Sequence, residues 1–492
     1  MENGVLFQAF EWYCPDNGSY YRNLMEKVVD LAANGVSAIW LPPVYKGTGP
    51  SDVGYGVYDL YDLGEFNQKG TVRTKYGTKQ ELLSLIQRCH ELKMQVYADV
   101  VLNHKGGADA TERFMAVKVD PHNRTLEMAA PREIEGWTRF DFAGRNKAYS
   151  DFTWSHVHFS GVDYDKSTDE SAIFRIIGEN KGWNLGVSTE LGNYDYLMFA
   201  DIDHAHPDVK AELFRWADWF IRETGVDGFR LDAVKHIDHV FMKDFQAHIR
   251  AEHGENFYLL GEYWLTDKNL KEEYLIGTEY GIDLFTVGLH FQLHEASVRG
   301  REYDLRTIFD NTLVKEFPSL SVTFVDNHDT QPGQALQSWV EPWFKESAYA
   351  LILLRCDGYP CVFHGDYYGT GGEHPFPGMK DRIDILLAIR RQFAYGEQHD
   401  YFDHPNLIGW VRHGDAEHPF KTAVVITNAD EGVLTMSVGE PEAGKTYRDR
   451  LGNNAGRVLI RDDGTGDFPA AAGKVCVWLA DKAVRKRRRK RA

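Results

Sequence analysis

The sequence predicts an α/β protein in which short buried strands alternate with helices along most of the chain. About eight short apolar segments each precede a polar loop, and a helical pattern of apolar residues follows most of them. Strands that alternate with helices indicate βαβ units and a parallel sheet. About eight such units close a (β/α)8 barrel, which we predict here, although periodicity alone does not distinguish a barrel from an open doubly wound sheet.

The individual elements follow from these patterns in chain order. The predicted strands are the apolar segments at 5–12, 36–42, 95–102, 225–232, 256–262, 284–293, 321–327 and 359–364. The predicted helices lie between most of these strands, at 19–34, 77–93, 207–223, 238–253, 303–316, 343–356 and 379–395.

Two regions interrupt this alternation and define the predicted domains. The segment after the third strand is irregular and rich in Asp, Gly and aromatic residues, which predicts an inserted domain. Near the C-terminus, short β-branched runs separated by turn signals replace the helices, which predicts an antiparallel β-sandwich. The expected organisation is a barrel formed by 1–104 and 207–395, an inserted domain at 105–206, a β-sandwich at 396–484 and a basic tail at 485–492.

Composition limits the classes of function. The 492 residues include 55 Lys and Arg against 73 Asp and Glu, a formal net charge of -18 that argues against general nucleic-acid binding. No apolar run approaches the ~18 residues that a membrane span requires. The five cysteines are widely spaced without a CxxC pair, which predicts free thiols in a reducing compartment. The N-terminus has no recognisable signal, so we expect a cytoplasmic monomer unless a signal has been removed.

Polar side chains stand where four of the predicted strands end. The third strand runs into Asp99–His104, the fourth into Arg230–His236, the fifth into Glu262, and the seventh into Asp326–Asp329. In a parallel barrel the carboxyl ends of the strands form the face that carries the chemistry. Ionisable groups at the ends of apolar strands are disfavoured unless they are paired or functional, so we expect a reactive site at this face.

Two of these carboxyl groups have environments suited to different roles. Arg230 and Asp232 are two residues apart on one strand, so both side chains face the same way, and a guanidinium favours the ionised carboxylate of a nucleophile. Glu262 precedes Tyr263 and Trp264, whose rings would desolvate it and favour the protonated form of an acid. Such a pair is what glycoside hydrolysis needs. The alternative is a set of ion pairs that only holds the strands together.

These segments carry a family resemblance. The chain resembles the α-amylase family of glycoside hydrolases, especially its bacterial liquefying and cytoplasmic members, in the segments Asp99–His104, Gly228–His236, Gly261–Trp264, Phe324–Asp329, Asp52–Gly56 and Leu191–Met198. The matches occur in the family's order and span most of the chain. The resemblance implies a barrel, an insertion after the third strand and a C-terminal β-sandwich, the same partition as above.

The resemblance also implies roles for individual residues. Asp232 matches the nucleophile, Glu262 the general acid/base and Asp329 the third carboxylate, which binds sugar hydroxyls and favours the oxocarbenium-like transition state. A retaining mechanism would place Asp232 and Glu262 about 5–5.5 Å apart. The implied substrate contacts are Arg230, His104, His328, Tyr55, Lys235 and His236, of which Arg230 is the partner of the nucleophile and Tyr55 the stacking aromatic.

Calcium is the cofactor that the resemblance implies. The matching ligands are hard oxygen donors, the kind that calcium requires: Asn103, Asp195, Asp201 and the backbone carbonyl of His236. Liquefying relatives often hold a further metal cluster through Asp163, Asp203 and another Asp. That other position is Asn184 here, and His404-Pro405-Asn406 departs from the His-His-Asp run of a distal calcium site. We therefore expect the principal calcium and not the additional metals.

The expected function is endo-acting hydrolysis of α-1,4-glucosidic bonds with retention of configuration. The partners would be α-glucan polysaccharides or maltooligosaccharides: starch, glycogen and maltodextrins. Two alternatives stay open from sequence. Transglycosylation would use the same residues, because a sugar hydroxyl competes with water for one covalent intermediate. A non-catalytic carbohydrate-binding protein would keep the fold without the reaction, although all three carboxylates are present.

Overall fold

The computed structural model describes residues 3–481, so the predicted basic tail at 485–492 lies outside the described residues. The strands are β1 Leu6–Gln8, β2 Ala38–Leu41, β3 Lys46–Gly47, β4 Val57–Asp59, β5 Gln95–Val100, β6 His104–Lys105, β7 Ala110–Lys118, β8 Arg132–Arg139, β9 Phe159–Asp165, β10 Glu170–Ile176, β11 Ala200–Ile202, β12 Gly228–Leu231, β13 Tyr258–Gly261, β14 Asp283–Phe285, β15 Ser321–Phe324, β16 Tyr359–Phe363, β17 Gln398–His404, β18 Leu407–Arg412, β19 Thr422–Thr427, β20 Gly432–Ser437, β21 Thr446–Asp449, β22 Val458–Leu459, β23 Thr465–Ala470 and β24 Val475–Ala480.

The α-helices are α1 Tyr20–Asn34, α2 Lys79–Glu91, α3 Pro207–Thr224, α4 His239–His253, α5 Lys268–Gly277, α6 Val287–Arg299, α7 Leu313–Glu316, α8 Pro342–Leu353, α9 His364–Tyr368 and α10 Lys380–Phe393. Within residues 3–481, none of these helices is both long and apolar enough to cross a bilayer.

A closed eight-stranded barrel confirms the predicted (β/α)8 fold. Its strand order is β1-β16-β15-β14-β13-β12-β5-β2. Neighbouring strands such as β12 and β5 are parallel, and their residues are buried on both sides, which explains the continuous apolar runs in the sequence.

Two further sheet systems account for the regions without the strand–helix alternation. After the third barrel strand, β6 to β11 form a six-stranded sheet in the order β6-β11-β9-β10-β7-β8. At the C-terminal end, β17-β18-β19-β24-β21-β22 form one sheet and β20-β23 a second one. A buried apolar cluster packs between the strands of these last two sheets, with Val425, Met436, Phe468 and Trp478 among its members. The insertion and the C-terminal sandwich are thus present.

Local capping explains why several helices begin and end where they do. In α2 the Thr78 side chain accepts a hydrogen bond from the amide of Glu81, whose carboxylate in turn accepts one from the amide of Thr78. In α3, Pro207 occupies the first turn, and Gly225 ends the helix in the left-handed conformation at φ 71°.

Two predicted elements were wrong, and one helix was missed. The strand predicted at 284–293 is only the three residues of β14, because α6 begins at Val287 and buries residues at helical rather than alternating spacing. The helix predicted at 303–316 contains only α7 and an isolated 3₁₀ turn, and Asn311 adopts a left-handed conformation (φ 56°) that no helix continues through. The sequence interpretation also missed α5, whose first turn is capped by Asp267.

By contact density the chain divides into two compact units. Within the described residues, one consists of 3–13, 30–37 and 286–481, and the other of 14–29 and 38–285. This division does not follow the four-part organisation predicted from the sequence, whose boundaries stay a prediction.

Candidate active site

One buried guanidinium organises carboxylates at the carboxyl-terminal ends of the third, fourth and fifth barrel strands. Arg230 on β12 is in register with Asp99 on β5, and Nη1 of Arg230 lies 2.9 Å from Oδ1 of Asp99. The same Nη1 donates to Oδ1 of Asp232 at 2.6 Å, and Nη2 lies 2.9 Å from Oε2 of Glu262. A single positive charge therefore serves three carboxyl groups, all within one compact unit.

The backbone after β12 bends sharply and brings the two candidate catalytic carboxyls together. Ala233 adopts the left-handed conformation (φ 50°), and its amide donates to Oε2 of Glu262 at 3.1 Å. The amide of Glu262 in turn donates to the carbonyl of Leu231. The side chains of Asp232 and Glu262 lie within hydrogen-bonding reach of each other.

Burial dominates the protonation of this pair. It raises the pKa of Glu262 to about 7; Arg230 opposes the rise and the charge of Asp232 adds to it. Burial also raises the pKa of Asp232, although Arg230 lowers it. Arg230 thus lowers the pKa of Asp232 as the sequence predicts, but burial and the charge of Asp99 outweigh it, so the expected net depression of this pKa was wrong. Glu262 thus retains its proton up to near neutral pH.

Tyr55 and His104 lie beside this cluster. The Tyr55 hydroxyl donates to Oδ2 of Asp99 at 2.9 Å, and the Trp40 indole donates to the same oxygen at 3.0 Å. Burial lowers the pKa of His104 to about 4, so the ring is neutral at pH 7. Its Nε2 lies 2.8 Å from the carbonyl oxygen of Tyr55, which can only accept, so Nε2 carries the proton. Asp99 had no assigned role from sequence, because its place beside Arg230 depends on the register between β5 and β12.

Lys235 and His236 occupy the 3₁₀ turn that follows Ala233. Nζ of Lys235 donates to Oε2 of Glu190 at 2.8 Å and to the carbonyl of Trp264 at 3.0 Å. Lys235 also lines a cleft of about 120 Å³. Burial lowers the pKa of His236 to about 3, and its Nδ1 contacts the carbonyl oxygen of Tyr194 at 2.7 Å.

His328 and Asp329 belong to the other compact unit, in the turn after β15. The Gln8 side-chain amide donates to Nδ1 of His328 at 2.9 Å, and the Trp12 ring stacks parallel to the imidazole with 6.1 Å between centroids. Nε2 of His328 lies 3.3 Å from Oδ2 of Asp329. The Asn327 side chain accepts a hydrogen bond from the Asp329 amide at 2.9 Å, which fixes the turn while the Asp329 carboxylate keeps access to solvent.

Comparison with known proteins establishes the family. The family model for the catalytic domain of α-amylases matches residues 21–399, more than half of the chain. The chain belongs to the α-amylase family of glycoside hydrolases. It is 51% identical to an α-amylase of Geobacillus stearothermophilus, over 98% of this chain and 88% of that protein. It is 42% identical to the cytoplasmic α-amylase of Escherichia coli, over 98% of this chain and 100% of that protein.

Comparison with solved structures agrees with the fold described above. A crystal structure of an Anoxybacillus α-amylase has a TM-score of 0.65 to this chain at 20% identity, with 97% of each chain covered. The high identity to named α-amylases over nearly the whole chain identifies this protein as a hydrolase enzyme of the same family.

The implied calcium ligands of this family member form a buried group. Asp195 and Asp201 are each 1% exposed, and burial raises the pKa of both, for Asp195 to about 8. Nδ2 of Asn103 lies 3.4 Å from Oδ1 of Asp201, while Oδ1 of Asn103 is buried with no hydrogen-bond partner. His236 contacts the carbonyl of Tyr194, the residue before Asp195. Buried carboxylates and an unsatisfied amide oxygen are a donor set that fits calcium.

The residues of the further metal cluster have other partners. Asp203 pairs with Nζ of Lys181 at 2.5 Å, and this ammonium also donates to the carbonyl of Phe159 at 3.2 Å. Nδ2 of Asn184 donates to Oδ1 of Asp195 at 3.0 Å. Asp163 accepts a hydrogen bond from the backbone amide of Phe199 at 3.1 Å. The Lys181 ammonium and the Asn184 amide thus take places at which a second cation would need carboxylate ligands.

One other group among the described residues has the composition of a metal site: His158, His206 and Asp208. Nδ1 of His158 accepts a hydrogen bond from the Ser155 amide at 3.1 Å, and Nδ1 of His206 accepts one from the Asp208 amide at 3.2 Å. Because Nδ1 accepts in both rings, Nε2 is the nitrogen that carries a ring proton and also the one that a metal would need. We assign no metal to this group, which the sequence interpretation had not identified.

Proposed function

We propose that Asp232, Glu262 and Asp329 are the catalytic carboxylates of this enzyme. The reaction they support is cleavage of internal α-1,4 bonds in starch, glycogen and maltodextrins with retention of configuration. One observation carries the assignment: the guanidinium of Arg230 contacts Asp232 at 2.6 Å and Glu262 at 2.9 Å. Asp232 and Glu262 also lie within hydrogen-bonding reach of each other, which leaves little room for the water that inverting glycosidases hold between carboxyls about 6.5–9.5 Å apart, and so supports retention.

In the proposed first step, Asp232 attacks the anomeric carbon as Glu262 protonates the departing glycosidic oxygen. The bond between the anomeric carbon and that oxygen breaks while a bond to the Asp232 carboxylate forms. Glu262, now ionised, removes a proton from an incoming water, which displaces Asp232 from the same anomeric carbon. Two displacements restore the original configuration and return the proton to Glu262.

The electrostatics suit this division of roles. Glu262, with its pKa raised to about 7 by burial, holds the proton that the leaving oxygen must receive. Asp232 has the shorter contact to Arg230, which favours its ionised, nucleophilic form over that of Glu262. When Glu262 loses its proton, the nearby guanidinium stabilises the new charge until water is deprotonated.

The remaining polar residues have proposed substrate roles. Tyr55 would stack against the sugar at the cleavage point, and His104, neutral with its proton on Nε2, would help to hold that sugar. Lys235 and His236 would contact the leaving-group side. Asp329, with His328, would bind sugar hydroxyls and favour the positively charged transition state.

Calcium is proposed at the group formed by Asn103, Asp195 and Asp201, with the His236 carbonyl as a further ligand. When bound, the ion would supply positive charge and oxygen coordination to two buried carboxylates and so stabilise the fold, with no part in bond cleavage. We propose one such ion and no second cluster at Asp163 and Asp203, because Lys181 already neutralises Asp203.

The proposed setting is cytoplasmic, as the name of the Escherichia coli relative states for that protein. There the substrates would be maltodextrins or glycogen. We propose that the enzyme acts as a monomer on these glucans, without nucleic-acid or membrane partners, and that the domain boundaries predicted from the sequence hold.

Product analysis tests the function. Soluble starch and maltoheptaose are incubated with the wild type, with Glu262→Gln and with Glu279→Gln, a surface control whose carboxylate pairs with Lys243. We expect rapid loss of iodine staining and release of α-anomeric maltooligosaccharides by the wild type and the control, and turnover lower by about 10³-fold in Glu262→Gln.

Other outcomes would favour the alternatives. Oligosaccharides longer than the substrate, accumulating from maltoheptaose, would identify a transglycosylase that uses the same residues. A well-folded wild type that binds maltoheptaose without turnover would identify a carbohydrate-binding protein.

A further inference from the structure

A fully buried charge cluster lies next to the turn that carries His328 and Asp329. Its members are Lys345 on α8, Asp366 on α9 and Asp326 just after β15, and the side chain of each is 0% exposed. Nζ of Lys345 forms ion pairs with both carboxylates, that with Asp366 at 2.6 Å. Removing three charges from water is costly, so a cluster of this kind needs an explanation beyond packing.

The other groups that face the cluster add no net charge. The ammonium lies 3.3 Å from the centre of the Trp339 ring, and the Tyr349 hydroxyl donates to Oδ2 of Asp366 at 2.7 Å. His290 faces Lys345 and Asp366 from α6; burial lowers its pKa to about 3, so it is neutral. Burial raises the pKa of both Asp326 and Asp366 to about 6, while Lys345 opposes each rise.

Within the cluster, only Asp326 contacts the turn through its side chain. Oδ1 of Asp326 accepts a hydrogen bond from the Thr330 hydroxyl at 2.8 Å, and that hydroxyl accepts one from the Asn327 amide at 3.0 Å. The Asn327 side chain then accepts hydrogen bonds from the amides of Asp329, at 2.9 Å, and Thr330, at 3.0 Å. Lys345, Asp326, Thr330 and Asn327 therefore form a continuous chain of polar contacts to the backbone of Asp329.

Asp366 provides the contrast. Its contacts are with Lys345 and with the Tyr349 hydroxyl, both on α8, and none of these groups belongs to the turn. Asp326 and Asp366 thus have the same burial, the same cation and one hydroxyl donor each, but only the hydroxyl that faces Asp326 is part of the turn. Asp326 also accepts hydrogen bonds from the Val340 amide, at 3.4 Å to Oδ1 and 3.3 Å to Oδ2.

We propose that Asp326, held by Lys345, is a positioning residue that fixes the Asn327–Thr330 turn and thereby orients the Asp329 carboxylate for the transition state. Asp366 pairs with the same ammonium and does not orient the turn. This inference rests on the proposed role of Asp329. A displacement of about 1 Å of a catalytic group lowers the rate by about 10²-fold. Loss of the contact between Asp326 and the turn is therefore expected to lower kcat by about that factor.

The matched pair Asp326→Asn and Asp366→Asn tests the proposal. Each variant removes one buried carboxylate and leaves a neutral pair with Lys345, so both are expected to lower the thermal midpoint by similar amounts. Only Asp326→Asn is expected to lower kcat on maltoheptaose by about 10²-fold, with KM changed much less. Asp366→Asn should keep kcat within about threefold of the wild type. Equal losses of kcat in the two variants would overturn the proposal.

Thr330 supplies a second test in case Asp326→Asn does not fold. Thr330→Val removes the hydroxyl without changing charge or shape, and is expected to lower kcat by at least ~10-fold. Thr330→Ser keeps the hydroxyl and is expected to restore the rate. If Thr330→Val has wild-type kcat, the chain of contacts does not orient the turn.

Asp329→Asn separates this inference from the function on which it rests. If Asp329→Asn retains wild-type activity, the proposed role of Asp329 is wrong. If Asp329→Asn abolishes activity while Asp326→Asn and Asp366→Asn behave alike, the catalytic role stands and only the positioning role is wrong.

Discussion

The raised pKa of Glu262 makes a quantitative prediction about the pH dependence of hydrolysis. Burial raises this pKa from an ordinary value of 4.5 to about 7. With the ordinary value, about 0.3% of the enzyme would carry the catalytic proton at pH 7; with the raised value about half does, a gain of about 150-fold in the competent form. Because the acid form is the reactive one, activity should fall as pH rises through the pKa.

The expected result is an alkaline limb of kcat/KM for maltoheptaose centred near pH 7, with a loss of about tenfold at pH 8 and about 100-fold at pH 9. In Glu262→Gln, kcat/KM should fall by about 10³-fold, within the range that general acid catalysis contributes. The Asp283→Asn variant is a matched control, because burial raises the pKa of Asp283 on β14 to about 6 without placing it in the proposed site.

A substrate with an activated leaving group isolates the acid role. Fluoride needs little protonation to depart, so Glu262→Gln should release a burst of fluoride from an α-maltooligosyl fluoride at a rate within about tenfold of the wild type. The burst rate in the variant should lack the alkaline limb. A limb near pH 7 that persists in Glu262→Gln, or that moves in Asp283→Asn, would refute the assignment of this proton to Glu262.

Three further predictions concern stability. Exhaustive chelation should lower the thermal midpoint by several degrees, since an ion that binds only the folded state stabilises it. Asp201→Asn should bind less than one calcium per chain by elemental analysis. An unchanged midpoint after chelation would contradict the calcium site. Burial lowers the pKa of Lys271 to about 7, so the unfolded chain binds the extra proton between about pH 7 and 10.5, and stability rises with pH over that interval. Lys271→Met should therefore stabilise the fold, by up to about 5 kcal/mol at pH 6 and by little at pH 10, and raise the thermal midpoint more at the lower pH; an equal gain at both pH values would exclude this explanation. Gly396→Ala should destabilise the fold strongly, because φ is 76° and the added Cβ would lie 1.9 Å from the carbonyl oxygen of Gly414. Gly225→Ala, with φ 71° and no atom within 4 Å of the new Cβ, should cost only about 1 kcal/mol in denaturant titration, and similar losses for the two would contradict the steric argument.

Two predicted elements, at 284–293 and 303–316, differ from the structure for physical reasons. Residues 284–293 are apolar enough to suggest a strand, yet the chain turns into α6 after three strand residues. Short apolar runs carry little information on period, so neighbouring structure decides between strand and helix. The region at 303–316 has a helical pattern, but Asn311 takes a left-handed conformation that interrupts it.

The sequence by itself determined the α/β class, although not the closure of the sheet into a barrel, and the positions of the polar strand ends. Both depend on local regularities: a repeat of strand and helix, and the side-chain period of two that puts Arg230 and Asp232 on one side of β12. It also indicated that Glu262 would be desolvated. These properties depend on residues that are close together in the sequence, so they can be inferred without knowing which strands pair.

Only the tertiary structure decided how charge is shared. Register across β5 and β12 gives Arg230 a third carboxylate, Asp99, and this together with burial reverses the pKa change expected for Asp232. The cluster of Lys345 with Asp326 joins residues from separate elements, and nothing in their local sequence indicates a common site. Electrostatic energies depend on distance and on exclusion of water, and both are set by contacts between residues far apart in the chain.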